Sequence, residues 1–298
     1  GIEMGAAGGI KVDENLRTSD PSIFAVGDAV EKQSLITNQP QMIWLANLAN
    51  RHGRLVADVI AGKTAPARKS IGTGIIGAFG MAAALTGITE GLAERMGIPY
   101  RAIHLHPGSH AGYFPGSERI SLKVLFDPET GKLLGAQSVG KDGADKRIDI
   151  LATAIYAGLK VDDLMNLELA YSPEFGSAKD AINHVGYVGN NVLEQKSPNV
   201  HWNELETELG RGLKILDVRS QAEFDRGHIP GAILAPVDEL REHLDDLAGE
   251  EYVVHCAVGQ RAHTAIQILA SRGIKAKNLS GGYTTWKFAQ DALARSEV

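Results

Sequence analysis

The chain has 298 residues, room for roughly two domains at ~150 residues each, and its 44% hydrophobic and 22% charged residues are the balance of a globular protein. The net charge of −6 argues against a nucleic-acid binder, which needs a basic face, and a single cysteine excludes a disulfide framework or a Cys-rich zinc site. No apolar run reaches the ~18 residues of a membrane span and no leader pattern opens the chain, so the expected location is the cytoplasm, where a lone thiol stays reduced.

The chain opens Gly1-Ile2-Glu3-Met4 without a starting Met, and the expectation is a polypeptide that begins inside a domain. In the first block Ile23-Phe24-Ala25-Val26, closed by Gly27-Asp28, predicts a buried strand. Met42 to Ile60 predicts a helix, with apolar Leu45, Leu48, Leu55, Val56 and Val59 and a stop at Gly62. Lys63 to Lys69, around Pro66, reads as a linker. The second block carries a strand at Ile120–Phe126, turn chemistry at Asp127-Pro128-Glu129-Thr130-Gly131, and a partner strand from Leu133 to Val139. An amphipathic helix follows from Asp145 to Tyr156, stopped at Gly158. With Tyr100 to His106 these predict an antiparallel sheet with helices on one side, an α+β arrangement. In the third block strands at Lys214–Val218 and Tyr252–His255 and a helix from Arg261 to Arg272 predict a parallel α/β sheet. The expected domains are residues 1–65, 66–195 and 196–298.

Tyr252-Val253-Val254-His255-Cys256-Ala257-Val258-Gly259-Gln260-Arg261 places a cysteine at the carboxyl end of a buried strand, then a short loop, then a helix. Ligand sites in parallel sheets lie at that end. Loop amides and the helix N-terminus favour a thiolate over a thiol, Gly259 lets the loop fold back, and Arg261 adds a cation with a donor fork. On position alone Cys256 could equally be a buried structural thiol. The order Asp217-Val218-Arg219, Glu223-Phe224, Gly227 to Ala232, Cys256 to Arg261, and Gly281-Gly282-Tyr283 with Trp286 resembles the rhodanese family over about the last 100 residues. The resemblance implies that Cys256 takes a sulfane sulfur as a persulfide and passes it to a thiol. It makes Ala257, Val258, Gly259 and Gln260 the persulfide loop and Arg261 its catalytic cation. The six-residue loop from Cys256 to Arg261 is the length of sulfurtransferases; the related phosphatase and arsenate-reductase loops are one residue longer. Asp217 and Arg219 are expected to brace the loop, and His255 to pack.

Thr18-Ser19-Asp20-Pro21 leading into Ile23 to Asp28 brings a glycine and a carboxylate to a strand end, where the carboxylate can accept hydrogen bonds from a polyol. The segment resembles the second flavin-binding motif of the FAD-dependent pyridine nucleotide-disulfide reductases. By that resemblance Gly27 and Asp28 approach the ribityl chain of FAD, and the backbone of Leu45 and Ala46 faces the flavin pyrimidine edge. Gly72-Thr73-Gly74-Ile75-Ile76-Gly77 fits GxGxxG but follows no apolar strand, so it is not a dinucleotide loop. It is expected to begin the first strand of that family's dimerisation domain.

His106 to Gly116 and Glu168 to Gly176 resemble the coenzyme A-disulfide reductase branch. The resemblance makes Tyr113 and Tyr171 the two tyrosines that reach across the dimer to the other subunit's active site. A phenol can donate to a thiolate, though a reference pKa near ~10 makes it a poor base. His104, His106 and His110 lack an acid or Cys partner set, so no metal is expected.

Together the blocks resemble coenzyme A-disulfide reductases with a C-terminal rhodanese domain, some of them persulfide or polysulfide reductases. This implies a homodimer using FAD, coenzyme A and NAD(P)H, a small-molecule sulfur donor and a thiol acceptor. The family's N-terminal FAD fingerprint, flavin-proximal redox cysteine and NAD(P)H domain are not among these residues, so the first block is expected to need that N-terminal portion. The alternative is a rhodanese-type sulfurtransferase without reductase activity, dimerised through its N-terminal blocks.

Overall fold

The computed structural model describes residues 1–63 and 66–296. Thr64 and Ala65, within the expected linker and at the expected 65/66 boundary, lie outside the described residues, as do the chain's last two residues.

The first segment is irregular. Its ladders are the two-residue strands β1 (Lys32–Gln33) and β2 (Pro40–Gln41), together with isolated bridges such as Arg17↔Phe24. The expected buried strand at Ile23–Val26 does not form: Ile23 and Val26 are exposed. A strand needs partners on its edges, and among the described residues only Arg17 bridges this run. Helix α1 (Ala46–Ile60) starts four residues later than expected, because Leu45 is extended and serves as N-cap, and Trp44 is 69% exposed. Its end is as expected. Gly62, in the left-handed region, donates its N–H to Val59 O at 3.0 Å.

The second segment is an antiparallel five-stranded sheet of order β3-β4-β7-β6-β5. These strands are β3 (Gly74–Ala78), β4 (Met81–Gly87), β5 (Arg101–Leu105), β6 (Ile120–Phe126) and β7 (Leu133–Gly140). The GxGxxG run enters the β3–β4 hairpin and opens no helix. Asp127 closes the β6–β7 turn by accepting from the Glu129 N–H at 3.0 Å and the Thr130 N–H at 2.7 Å. Helices α3 (Ala144–Ala157) and α4 (Ala181–Leu193) cover one face. There Ile148, Leu151, Ile155, Ile182 and Val185 pack on Ile103, Leu122, Val124 and Phe126. The expectation of helices on one side needs correcting. The short α2 (Glu90–Met96) lies on the other face, where Ile88 and Ala93 cover Ala102, Leu125 and Leu134. An apolar residue on each face at that end of β6 demands a cover on each.

The third segment is a parallel sheet of order β10-β9-β11-β12-β8. Its strands are β8 (Asn199–Val200), β9 (Lys214–Asp217), β10 (Ile233–Leu234), β11 (Tyr252–His255) and β12 (Ala276–Leu279). Helix α7 (Gln260–Ala270) covers Leu216 and Val254 on one face. On the other, α5 (Leu205–Gly210) and α8 (Gly282–Ser296) cover Ile215 and Val253. A short α6 (Gln221–Asp225) follows β9. No helix among the described residues is long and apolar enough to cross a membrane.

Leu151 is fully buried between α3 and the sheet. Leu151→Ala is expected to lower unfolding free energy by about 2–5 kcal/mol, read by urea denaturation; a change below about 1 kcal/mol would contradict the placement of this core.

Candidate functional site

Strand β11 is buried on both faces and delivers Cys256 to its carboxyl end. Gly259, at φ +100, turns the chain into α7 and serves as its N-cap. Its N–H donates to Cys256 Sγ at 3.2 Å. Cys256 is only 1% exposed. The loop is held from behind: the Tyr283 N–H donates to Cys256 O at 2.8 Å and the Thr284 N–H to Ala257 O at 3.0 Å. A Cβ on Gly282 would stand 2.5 Å from Cys256 O, so only glycine permits this approach. Asn278 Nδ2 donates to Gly259 O at 3.0 Å. Val258, Gly259 and Gln260 line a cleft of about 450 Å³ together with Lys179, His184 and Tyr187.

Arg261, expected to offer its fork at the sulfur, has both terminal nitrogens donating to Glu223, at 2.7 Å each. Glu223 also accepts from the Ser220 N–H and hydroxyl at 3.1 Å each. The cation beside the loop is therefore compensated and fixed in place. Asp217 and Arg219 form a buried pair, with Nη2 donating to Oδ2 at 2.6 Å. Arg219 also donates to Gly227 O at 2.8 Å and lies 4.2 Å from the Tyr283 ring centroid. The pair touches both the segment after β9 and the start of α8. His255 is fully buried, and burial lowers its pKa to about 4. It is thus a neutral packing ring at neutral pH.

In the flavin-like segment Gly27 sits where a Cβ would come within 3.2 Å of the Ala49 side chain on α1. Asp28 is exposed, and no side chain caps α1 at Leu45 and Ala46. Gly27 and the start of α1 thus lie together, beside an exposed carboxylate and helix amides that no side chain among the described residues caps.

Tyr113 and Tyr171, 58 positions apart, are brought together, their hydroxyls 3.0 Å apart. Both are exposed. Their mutual hydrogen bond raises the Tyr171 pKa. The loops carrying them are joined by the Ala111 N–H, which donates to Gly176 O at 3.0 Å. Beneath lies a buried ion pair in which Arg147 Nη2 donates to Asp180 Oδ2 at 2.6 Å and to Ser109 O at 2.8 Å.

Sequence reasoning gave no role to Glu223, Gly282 or the Arg147–Asp180 pair. The first was readable, since Ser220-x-x-Glu223 is a capping box. The others depend on contacts between distant segments.

Arg261 holds the Glu223 carboxyl down to about 2, from an ordinary 4.5. A depressed acid adds stability above its unfolded pKa and loses it as pH falls through the folded one. The excess stability of the parent over Glu223→Gln is therefore expected to be constant above about pH 5 and to shrink between pH 4.5 and 2. Melting temperatures of the two proteins against pH check this; a gap that widens on acidification would contradict it.

Residues 201–289 match the rhodanese-like domain family, residues 77–181 the pyridine nucleotide-disulphide oxidoreductase dimerisation domain, and residues 1–53 the pyridine nucleotide-disulphide oxidoreductase family. A coenzyme A disulfide reductase of Staphylococcus haemolyticus is 36% identical over 187 residues, covering 62% of this chain and 42% of that protein. The structure of reduced Bacillus anthracis CoADR-RHD superposes with a TM-score of 0.95 at 39% identity, covering 98% of this chain and 53% of that one. An NAD-dependent persulfide reductase from A. fulgidus gives 0.88 at 37%, covering 96% and 52%. The match thus spans less than half of that curated relative and about half of each of the two solved chains. The chain thus carries a pyridine nucleotide-disulphide oxidoreductase segment at residues 1–53, that family's dimerisation domain at 77–181 and a rhodanese-like domain at 201–289.

Proposed function

We propose that the chain is the C-terminal part of a FAD- and NAD(P)H-dependent coenzyme A-disulfide or persulfide reductase whose rhodanese-like domain carries sulfane sulfur on Cys256. The observation that carries the sulfur-transfer step is the seat of Sγ: strand end, six-residue loop, and an N–H of the loop aimed at the sulfur at 3.2 Å.

The Cys256 thiolate attacks the outer sulfur of thiosulfate or of a donor persulfide. An S–S bond forms on Cys256 as the donor's S–S bond breaks, and sulfite or a thiolate leaves. The amides of Ala257, Val258, Gly259 and Gln260 offer donors to the terminal sulfur, and Arg261 lends a fixed cation. An acceptor thiolate then attacks the terminal sulfur and releases Cys256 unchanged.

The reductase reading rests on the fit of the first two segments to the family's cofactor and dimer. Gly27 allows close approach, Asp28 is free to accept from the ribityl hydroxyls, and the Leu45–Ala46 turn offers uncapped amides to the pyrimidine edge. FAD, when bound, supplies two-electron transfer between NAD(P)H and a disulfide or persulfide. Tyr113 and Tyr171, held as a pair, would donate to the coenzyme A thiolate across a homodimer. Ile75, Ile76 and Phe79 on the β3–β4 hairpin are exposed, an apolar surface suited to that partner. The sulfur-transfer chemistry alone would equally serve a sulfurtransferase without reductase activity, so flavin is the discriminator.

Cys256→Ala is expected to abolish transfer from thiosulfate to cyanide while leaving the fold intact by circular dichroism; residual transfer at the parent rate would refute the assignment. In the complete reductase, Asp28→Ala should lower bound flavin, read as absorbance near the flavin maximum per mole of protein. Full flavin content in that variant would remove Asp28 from the cofactor site.

A further inference from the structure

The free edge of β5 is covered by the rhodanese-like domain. β5 ends the sheet of the dimerisation domain, and among the described residues it pairs only with β6. Its outward Ala102 carbonyl accepts from Asn199 Nδ2 at 2.8 Å, and its outward His104 N–H donates to Ser280 Oγ at 3.0 Å. Two side chains of the other domain thus take the place of a neighbouring strand. One turn further, His106 Nε2 lies 2.7 Å from Thr285 Oγ1, while its Nδ1 lies 3.2 Å from Ser121 Oγ. Both nitrogens of the ring are engaged, which fixes its plane. Burial lowers the His106 pKa to about 4, so the ring is neutral at working pH.

Thr285 belongs to the first turn of α8. In that same turn the Tyr283 and Thr284 N–H groups hold the Cys256 and Ala257 carbonyls. There is no slack: a Cβ on Gly281 would stand 2.0 Å from Thr285 Oγ1 and 2.9 Å from His104 Cβ. Thr285 thus shares one helical turn with the amides that hold the cysteine loop.

We propose that His106 is a positioning residue for sulfur transfer at Cys256, acting through Thr285 and the first turn of α8. The dimerisation domain thereby sets the reactivity of the rhodanese-like site. The inference rests on the sulfurtransferase reading above. The ion pairs Arg261–Glu223 and Arg219–Asp217 lie within the rhodanese-like domain and include neither His106 nor Thr285.

The test uses the full chain with thiosulfate as donor, cyanide as acceptor, and iodoacetamide alkylation of Cys256 at one fixed pH. Loss of one hydrogen bond corresponds to about a fivefold effect. His106→Ala is expected to lower kcat by about that factor with KM for thiosulfate unchanged, and to slow alkylation in parallel. Thr285→Val should do the same, and the double variant should lose no more than either single one. His106→Gln, whose amide can again donate to Thr285, should recover most of the rate. Parent rates in both His106→Ala and Thr285→Val would overturn the inference, and so would equal damage in His106→Gln and His106→Ala. Should the parent transfer no sulfur, the sulfurtransferase reading fails, and the alkylation rates still decide whether His106 positions the thiol.

Discussion

The hydrogen bond from the Gly259 N–H to Cys256 Sγ at 3.2 Å sets the demands on the rhodanese-like half. To make it, the chain must leave a central strand, reverse within three residues and start a helix. The reversal needs the positive φ of Gly259, and the strand end needs its carbonyl held by another segment. That segment is the start of α8, which can approach only because residue 282 has no Cβ. The buried Asp217–Arg219 pair then ties α8, through the Tyr283 ring, to the neighbouring strand. A buried ion pair contributes little net stability by itself, but removing one partner leaves an uncompensated charge. Its value here is geometric.

The same logic governs the dimerisation domain. Arg147 and Asp180 lie under two loops that are far apart in sequence and bring Tyr113 and Tyr171 within hydrogen-bond distance. In both halves a rigid sheet carries the load and a buried Asp–Arg pair steadies the loops that bear the chemical groups. The halves meet at the free edge of β5, where Asn199 and Ser280 satisfy backbone groups that would otherwise be exposed. The superposition on CoADR-RHD covers 98% of the chain at a TM-score of 0.95, so both halves stand in the same relation in that protein.

Elements with strong local signals were legible in the sequence. The β6–β7 hairpin followed from Asp127 to Gly131, α3 from its apolar period and Gly158, and β11 with its loop from the run into Cys256. The elements that misled were those whose neighbours decide. Ile23–Val26 has the composition of a buried strand but lacks paired edges among the described residues. Helix α1 starts at Ala46 because Leu45 stays extended. α2 is seven residues long and has too few turns for a periodicity to show. At the site, motifs marked Cys256 and the tyrosines as candidates. The contacts of Arg261 with Glu223 and of His106 with Thr285 were not legible, since no local pattern reports a contact across 38 or 179 positions.

Cys256 is both the centre of this geometry and the chain's one thiol, which makes the central claim directly measurable. Intact-protein and peptide mass spectrometry after incubation with thiosulfate should show a gain of one sulfur atom on the peptide containing Cys256, removed by a low-molecular-weight thiol. A Cys256 peptide that remains an unmodified thiol under those conditions would contradict the account.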